Sequence, residues 1–211
     1  MSRGVDAGDG SRLRDVAETW PVVSSTDLHR DGWVIALRSD LVRRPGAPAE
    51  EGTFRRLVVE HPGAAVVLAV DDEDRVLCLR HYRHAAGHRL VELPAGLCDV
   101  PGEEPVEVAR RELREEAAFA ARSWTHLLST FSSPGYSAER IHYFLATGLS
   151  PVDRDDFVLE HEEAELEVLW VPFADLVDAV LAGQIADGPV VQAVLAAHVM
   201  RDRDPQALPE M

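Results

Sequence analysis

The stretch GLCDVPGEEPVEVARRELREEAAF, residues 96–119, contains six glutamates and three arginines behind a turn rich in glycine and proline. If the stretch is helical, side chains three and four residues apart lie on one face, so Glu112, Glu115 and Glu116 lie together. Like charges at this spacing repel one another. Two arrangements relieve that repulsion: the arginines pair with the glutamates on a solvated surface, or the carboxylates hold a divalent cation such as Mg²⁺.

The residues just before this helix favour the cation. The segment VELPA, residues 91–95, is typical of the end of a strand, and Pro101-Gly102 predicts a tight turn back to the helix. Such a loop places the backbone of the strand end against the helix face. A main-chain carbonyl there, for which Ala95 is the candidate, would complete a metal site lined by carboxylates.

Apolar runs and turn residues predict the remaining elements. β-Branched runs before the helix predict strands, and the runs 64–70 and 75–83 predict a hairpin in a buried sheet. The helix itself is predicted over 105–120. Further strands follow, then two C-terminal helices over 174–182 and 189–200. We therefore expect an α/β sandwich with a mixed sheet and a small N-terminal β-subdomain.

Changes of composition along the chain predict its divisions. Residues 1–18 are polar and rich in Gly and Asp, and we expect a disordered tail there. The β-subdomain is expected over residues 19–60 and the main domain over residues 61–203. A short tail covers residues 204–211.

The charge balance narrows the classes of partner. The 211 residues include 21 basic and 37 acidic side chains, a net charge of −16, which repels the phosphates of nucleic acids. No run approaches the length of an apolar membrane span, and the N-terminus lacks the apolar core of a signal peptide. With only two cysteines, the chain is expected to be a cytoplasmic protein that binds neither nucleic acid nor membrane.

The 24-residue stretch resembles the Nudix box, the strand–loop–helix signature of Nudix hydrolases. The resemblance rests on Gly96, Glu103 and the run from Arg111 to Glu116, followed by Phe119. Two positions depart from the common form. The loop from Gly96 to Glu103 holds six intervening residues rather than five, and Ala118 stands where the family usually has Gly. Either Ala118 ends the helix with a positive φ, at a cost of about 1 kcal/mol relative to Gly, or the helix continues through residue 121.

The resemblance implies a Nudix-type α/β/α sandwich and hydrolysis of a nucleoside diphosphate linked to another group, with Mg²⁺ or Mn²⁺ as cofactor. Glu112 and Glu116 would be the main metal ligands, assisted by Glu115 and the carbonyl of Ala95. The implied role of Arg111 is to orient these carboxylates through ion pairs. Glu103 would do similar structural work.

Residues 22–198 resemble the ADP-ribose pyrophosphatase subfamily more closely, and Pro134, 15 residues beyond Phe119, is that subfamily's recurring mark. The resemblance implies a general base from the late acidic loop over 160–165. We assign Glu163 as the base with Glu162 as its competitor, and Glu165 as an auxiliary metal contact. Without the box, the same loop would be interpreted as a solvated acidic segment.

The subfamily resemblance also implies substrate contacts and a homodimer with intertwined N-terminal strands. Arg83 would bind a phosphate, although a surface salt bridge explains it equally simply. Trp33 and Phe54 would sandwich adenine, often one from each subunit, or else lie in the core. Pro134 and Gly135 are predicted substrate contacts that could also form an everyday turn.

Three functions follow from these predictions. The leading one is hydrolysis of ADP-ribose to AMP and ribose 5-phosphate. A second is hydrolysis of another nucleoside diphosphate sugar, because the base and sugar contacts are ambiguous in the sequence. The third, from a different class, is a non-catalytic sensor that binds ADP-ribose through the same fold.

Overall fold

The computed structural model of the chain describes residues 13–154 and 165–203. The strands within these ranges are β1 (Val22–His29), β2 (Ala36–Val42), β3 (Phe54–Glu60), β4 (Ala64–Ala69), β5 (Arg75–Arg83), β6 (His88–Glu92), β7 (Ala95–Leu97), β8 (Phe119–Phe131), β9 (Arg140–Pro151) and β10 (Glu167–Pro172). The α-helices are α1 (Pro105–Ala117), α2 (Phe173–Leu181) and α3 (Gly188–Arg203), and a short 3-10 helix covers Ala49–Glu51.

The strands form three sheets within the described residues. The N-terminal sheet has the order β1-β2-β3, a second sheet has the order β10-β5-β6, and a third has the order β7-β4-β9-β8. In the third sheet β4 and β9 run parallel while the other neighbours are antiparallel. The predicted mixed sheet is therefore confirmed.

Strand β4 shows how the layers are covered. Ala65, Val67 and Ala69 belong to a buried cluster with residues of α1, whereas Val66 and Leu68 belong to a cluster with α2 and α3. Because successive side chains of a strand point to opposite faces, helices cover both sides of this strand. This arrangement confirms the predicted α/β/α sandwich.

The hairpin predicted over the runs 64–70 and 75–83 is wrong. The two runs are joined by a tight turn in which Asp71 accepts hydrogen bonds from the backbone N–H groups of Glu73 and Arg75. They are bridged only between Val70 and Val76, and β4 and β5 then pair in different sheets. Since β4 and the first half of β5 are buried on both faces, the sequence pattern indicated burial but did not distinguish one sheet from two.

Helix α1 ends at Ala117, earlier than the predicted residue 120. Ala118 adopts a left-handed conformation with φ 58° and ψ 40°, and its N–H donates to the carbonyl of Arg114 at 2.9 Å. The alternative in which the helix continues through residue 121 is therefore wrong. Arg154 donates to the carbonyl of Glu116 at 2.8 Å, so a cation also caps the end of the helix.

The N-terminal sheet extends away from the sandwich. All eight residues of β1 are exposed, including the apolar Val22, Val23 and Leu28. The opposite edge strand, β3, is held to the sandwich through Val59, whose N–H donates to the carbonyl of Tyr136 at 2.7 Å. The boundaries of the predicted divisions of the chain stay predictions. No described helix has the length and apolar composition that crossing a bilayer requires.

Candidate active site

A cleft of about 700 Å³ opens between helix α1, strand β7 and the loop that joins β1 to β2. Its size suits a molecule as large as a dinucleotide or a sugar nucleotide. The polar residues that line it are His61, His81, Arg83, Asp99, Arg111, Glu112, Glu115, Glu116 and Glu139. The cleft thus gathers most of the carboxylates and arginines that the sequence predicted to act together.

Glu116 is fixed against the strand that precedes the helix. Its side chain is buried, and one carboxylate oxygen accepts a hydrogen bond from the backbone N–H of Ala95 at 2.9 Å. The strand end and the helix face therefore meet, as the sequence predicted from the turn between them. The backbone of Ala95 and the carboxylate of Glu116 lie on the same wall of the cleft.

Glu112 approaches the same strand at Gly96. A Cβ added to Gly96 would lie 1.9 Å from a carboxylate oxygen of Glu112. No side chain can therefore replace the hydrogen of Gly96 without moving that carboxylate. Gly96 is needed here for close approach rather than for an unusual backbone conformation.

Arg111 connects the carboxylates of α1. Its guanidinium lies 2.6 Å from Glu112, 3.4 Å from Glu115 and 3.6 Å from Glu103. Burial opposes the charge of this guanidinium, but the negative charges of Glu112, Glu103 and Glu115 outweigh it and raise the pKa of Arg111. The structure thus brings Arg111 and these glutamates together as predicted.

The residues present suit a hard divalent cation in their chemistry. Glu112 and Glu116 place two buried carboxylates on one helix face beside a glycine that leaves room for them. Carboxylate and carbonyl oxygens are the ligands that Mg²⁺ prefers. Within residues 13–154 and 165–203, however, no three acidic, histidine or cysteine side chains converge closely enough to form a metal-binding group by themselves.

Arg83 also lines the cleft and is paired with a buried partner. Its guanidinium donates to both carboxylate oxygens of Glu92, at 2.8 Å and 2.7 Å. The side chain of Glu92 is 9% exposed, and His81 lies 3.6 Å from it. Burial raises the pKa of nearby Asp187 to about 6, and the negative charge of Glu92 adds to the increase. The side chain of Arg83 is itself 49% exposed, so this salt bridge joins a half-exposed guanidinium to a buried carboxylate.

The two aromatic candidates lie apart. Trp33 lines the cleft from the loop between β1 and β2, and its backbone N–H is held by Asp31 at 2.8 Å. Phe54 begins the seven-residue β3, roughly 20 Å from the end that reaches the cleft. It packs edge-on against Trp20 at 6.1 Å and beneath Arg56. One subunit therefore does not place both rings around one base.

The turn at Pro134-Gly135 is exposed and does not line the cleft of its own chain. Its neighbours bind it to β3, because Tyr136 and Ala138 exchange backbone hydrogen bonds with Val59. These hydrogen bonds fix the position of the turn relative to the N-terminal sheet.

The acidic loop is only partly within the described residues. Glu165 is exposed and pairs with Arg89 of β6, away from the carboxylates of α1. Glu162 and Glu163 lie outside the described residues. The assignment of the general base therefore stays a prediction.

Several residues in or near the cleft did not emerge from the sequence as functional, among them His61, Glu92, Glu139 and Asp187. His61 and Glu139 line one wall, with 3.7 Å between a ring nitrogen and a carboxylate oxygen. Glu92 carried a usable signal, because a carboxylate within the apolar run RLVELP demands a cationic or hydrogen-bonding partner when it is buried. For His61, Glu139 and Asp187 the contacts join distant parts of the chain, so no local sequence pattern predicts them.

Buried carboxylates on a helix beside a strand end, with an arginine lining the same cleft, suit an enzyme that acts on phosphate-bearing small molecules. Comparisons with known proteins agree with this class. The NUDIX domain matches residues 59–194. An ADP-ribose pyrophosphatase of Mycobacterium tuberculosis is 43% identical over 178 residues, which are 84% of this chain and 83% of that protein.

Two further similarities extend the comparison. A GDP-mannose pyrophosphatase of Salmonella paratyphi B is 32% identical over 159 residues, covering 72% of this chain and 80% of that protein. A crystal structure of an ADP compounds hydrolase superposes with a TM-score of 0.68 at 22% identity, covering 90% of this chain and 98% of the other, and shows the shared fold. The chain belongs to the Nudix family, as a pyrophosphohydrolase.

Proposed function

We propose that this protein hydrolyses the diphosphate bond of ADP-ribose, giving AMP and ribose 5-phosphate. The observation that carries the proposal is the pair of buried carboxylates, Glu112 and Glu116, held against Ala95 and Gly96 at the wall of a cleft large enough for a sugar nucleotide. The similarity to the mycobacterial ADP-ribose pyrophosphatase over most of both chains supports ADP-ribose as the substrate.

In this proposal Glu112 and Glu116 hold Mg²⁺ or Mn²⁺, with Glu115 and the Ala95 carbonyl assisting. Bound there, the cation would offset the charge of the diphosphate and polarise its phosphorus–oxygen bonds. Arg111 orients the carboxylates through the ion pairs described above. It also keeps their mutual repulsion low when substrate is absent, because one guanidinium is shared among several of them.

Arg83 lines the same cleft as the carboxylates of α1 and supplies positive charge there, where it would bind a phosphate oxygen. A water loses a proton to a carboxylate of the acidic loop and attacks one phosphorus. The bond from that phosphorus to the bridging oxygen breaks, and the other phosphate leaves with that oxygen. We assign that proton transfer to Glu163, with Glu162 as the competing base and Glu165 as an auxiliary contact.

Recognition of adenine would require a homodimer. Trp33 lines the cleft, whereas Phe54 lies at the distant end of β3. Exposed apolar residues along β1 support a second copy that covers this sheet and brings its own Phe54 towards the neighbouring cleft. Pro134 and Gly135 would then contact substrate at the same junction. We place this dimer in the cytoplasm, and the net charge of −16 on each chain supports a protein that binds neither nucleic acid nor anionic membrane.

A different nucleoside diphosphate sugar is the second candidate substrate. The similarity to a GDP-mannose pyrophosphatase supports it, because that relative shares 32% of residues over most of this chain. The cleft also distinguishes poorly between bases through stacking alone, since every base offers a flat face.

The test is hydrolysis of a panel of sugar nucleotides, ADP-ribose and GDP-mannose among them, with Mg²⁺. We expect the largest kcat/KM with ADP-ribose and release of AMP. Glu116→Gln should lower kcat by at least about a hundredfold while circular dichroism stays unchanged, because the amide keeps the shape of the side chain but loses its charge. Substantial activity in Glu116→Gln would refute the assignment of the metal ligands.

A further inference from the structure

The orientation of Arg83 is set by one buried carboxylate. The guanidinium uses Nε and Nη2 to bind the two oxygens of Glu92, at 2.8 Å and 2.7 Å. Within residues 13–154 and 165–203, the remaining nitrogen, Nη1, donates no hydrogen bond, and the side chain lines the cleft. The Nε–Nη2 edge of the guanidinium is thus occupied by Glu92, while Nη1 has no hydrogen-bond acceptor among the described residues.

This arrangement has a geometric consequence for the ligand. A guanidinium is planar and carries five N–H groups in fixed directions, so occupying one edge determines where the other points. Arginine side chains otherwise lose considerable rotamer freedom when they bind. A carboxylate that already holds the fork removes most of that loss before the ligand arrives.

An ordinary ion pair on the same strand provides a contrast. Arg80 of β5 pairs with Glu167 of β10 at 3.0 Å, and both side chains are about half exposed. That pair lies outside the cleft lining. The side chain of Arg83 is about as exposed as that of Arg80, at 49% against 45%. The side chain of Glu92 is only 9% exposed, so the two pairs differ in the carboxylate, whose charge in Glu92 is stabilised through Arg83 rather than through solvent.

We propose that Glu92 is a positioning residue for the diphosphate, acting through Arg83 without touching the substrate. It occupies the Nε–Nη2 edge of the guanidinium and so presents the Nη1 edge to a phosphate oxygen. This inference rests on the proposed function, because it assumes that the cleft binds a nucleoside diphosphate.

A double-mutant cycle tests the dependence on Arg83. We expect Glu92→Gln to lower kcat/KM by about tenfold to a hundredfold, because the neutral amide holds the guanidinium weakly. In the Arg83→Ala background the same substitution should change kcat/KM less than about twofold. Equal effects of Glu92→Gln in both backgrounds would overturn the proposal, because they would show that Glu92 acts through the fold alone.

Chemical rescue distinguishes a positioning role of Glu92 from a purely structural one, because only the positioning role makes the rescued activity depend on Glu92. Guanidinium ion at a concentration that does not denature the protein should restore part of the activity of Arg83→Ala. It should fail to do so in Arg83→Ala/Glu92→Gln, because the carboxylate that would hold the ion is gone. The matched control is Glu167→Gln, which removes the carboxylate of the exposed pair. It should leave kcat/KM unchanged when Arg83 is present and leave rescue unchanged in the Arg83→Ala background. Equal rescue with and without Glu92 contradicts the proposal.

Binding of ADP, measured by titration calorimetry in parallel, separates this inference from the proposed function. If no sugar nucleotide is hydrolysed but Glu92→Gln weakens ADP binding only when Arg83 is present, the positioning role stands and the activity is wrong. If ADP-ribose is hydrolysed, but Glu92→Gln has the same effect on ADP binding and on kcat/KM with and without Arg83, the activity stands and the positioning role is wrong. A wild-type chain that fails to bind ADP overturns the inference directly.

Discussion

Because Gly96 has no side chain, the side chain of Glu112 can lie against the backbone of β7. The carboxylate of Glu112 occupies the space that a Cβ on residue 96 would fill, and the neighbouring N–H of Ala95 binds Glu116. Both carboxylates of the proposed metal site are therefore placed by the backbone of a single short strand. Their burial would be costly without these contacts and the charge of Arg111.

Gly96→Ala tests this placement. The added methyl group would lie 1.9 Å from Glu112, so we expect that carboxylate to move and kcat to fall by at least about tenfold. More Mg²⁺ should be required for half-maximal activity. The control is Gly32→Ala, where an added Cβ meets nothing within 4 Å. Normal Mg²⁺ dependence in Gly96→Ala would show that the close approach is unimportant.

The individual residues of this site differ in how far the sequence could predict them. Glu112, Glu115 and Glu116 follow from helical spacing, which is a local property of the chain. The partner of Arg83 does not, since Glu92 lies on the neighbouring strand β6 and only the pairing of β5 with β6 brings the two side chains together. Glu92 was visible as a carboxylate in an apolar run, but its role required the structure.

At the scale of elements, helix α1 ends in a conformation that alanine tolerates poorly. Ala118 has φ 58°, yet it connects the helix directly to β8, which begins at Phe119. The carbonyl of Ala118 accepts a hydrogen bond from Val152 at 2.9 Å, so the strand pairing extends to the cap itself. The sheet therefore determines where this helix stops, which is why helical spacing alone predicted too long an element.

Ala118→Gly should stabilise the protein by about 1 kcal/mol, because glycine adopts the left-handed conformation without strain. Thermal unfolding measures the change. Ala182→Gly is the matched control, since Ala182 caps α2 with φ −77° in the right-handed region and gains nothing from glycine. A lower melting temperature in Ala118→Gly would contradict this account of the helix end.

The start of α3 should make stability depend on pH. Asp187 accepts the N–H of Val190 at 2.9 Å, and burial raises its pKa from 3.8 to about 6. Between these values the folded chain retains a proton that the unfolded chain has lost. The free energy of unfolding therefore decreases as pH rises from about 4 to about 6.

Asp187→Asn removes this ionisation and keeps a side-chain oxygen for the cap. At pH 7 we expect the variant to be more stable than the wild type by about 1–3 kcal/mol, and at pH 4 the difference should largely vanish. Urea unfolding at several pH values measures both. The exposed Asp175→Asn in α2 serves as the control, and an identical pH profile for the two variants would disprove the role of burial.

At the scale of the whole molecule, the assignment of strands to sheets and the positions of the two aromatic rings lay beyond the sequence pattern. Apolar runs correctly indicated buried strands and two covering helices. They could not assign β4 and β5 to different sheets, because burial on both faces is the same in either arrangement. Nor could they show that Phe54 and Trp33 lie at opposite ends of the N-terminal sheet, which depends on the direction of each strand.

Subunit mixing tests the proposed exchange of Phe54 between subunits. Phe54→Ala should bind ADP-ribose weakly, and Glu116→Gln should be inactive. In a mixed dimer one cleft combines the intact carboxylates of the first variant with Phe54 of the second. Refolding the two variants together should therefore give more activity at low substrate than the sum of the separate variants. Simple additivity, or a monomeric mass in sedimentation, would contradict the shared site.

Strand β1 carries a final consequence for handling the protein. It lies at one edge of the N-terminal sheet, where its outer backbone groups pair with no other strand among the described residues, and its exposed side chains include Val22, Val23 and Leu28. Free edges of this kind recruit further strands and start aggregation. A substitution that separates the subunits of the proposed dimer should therefore cost solubility before it costs folding, and such a variant should form strand-rich precipitates that bind thioflavin.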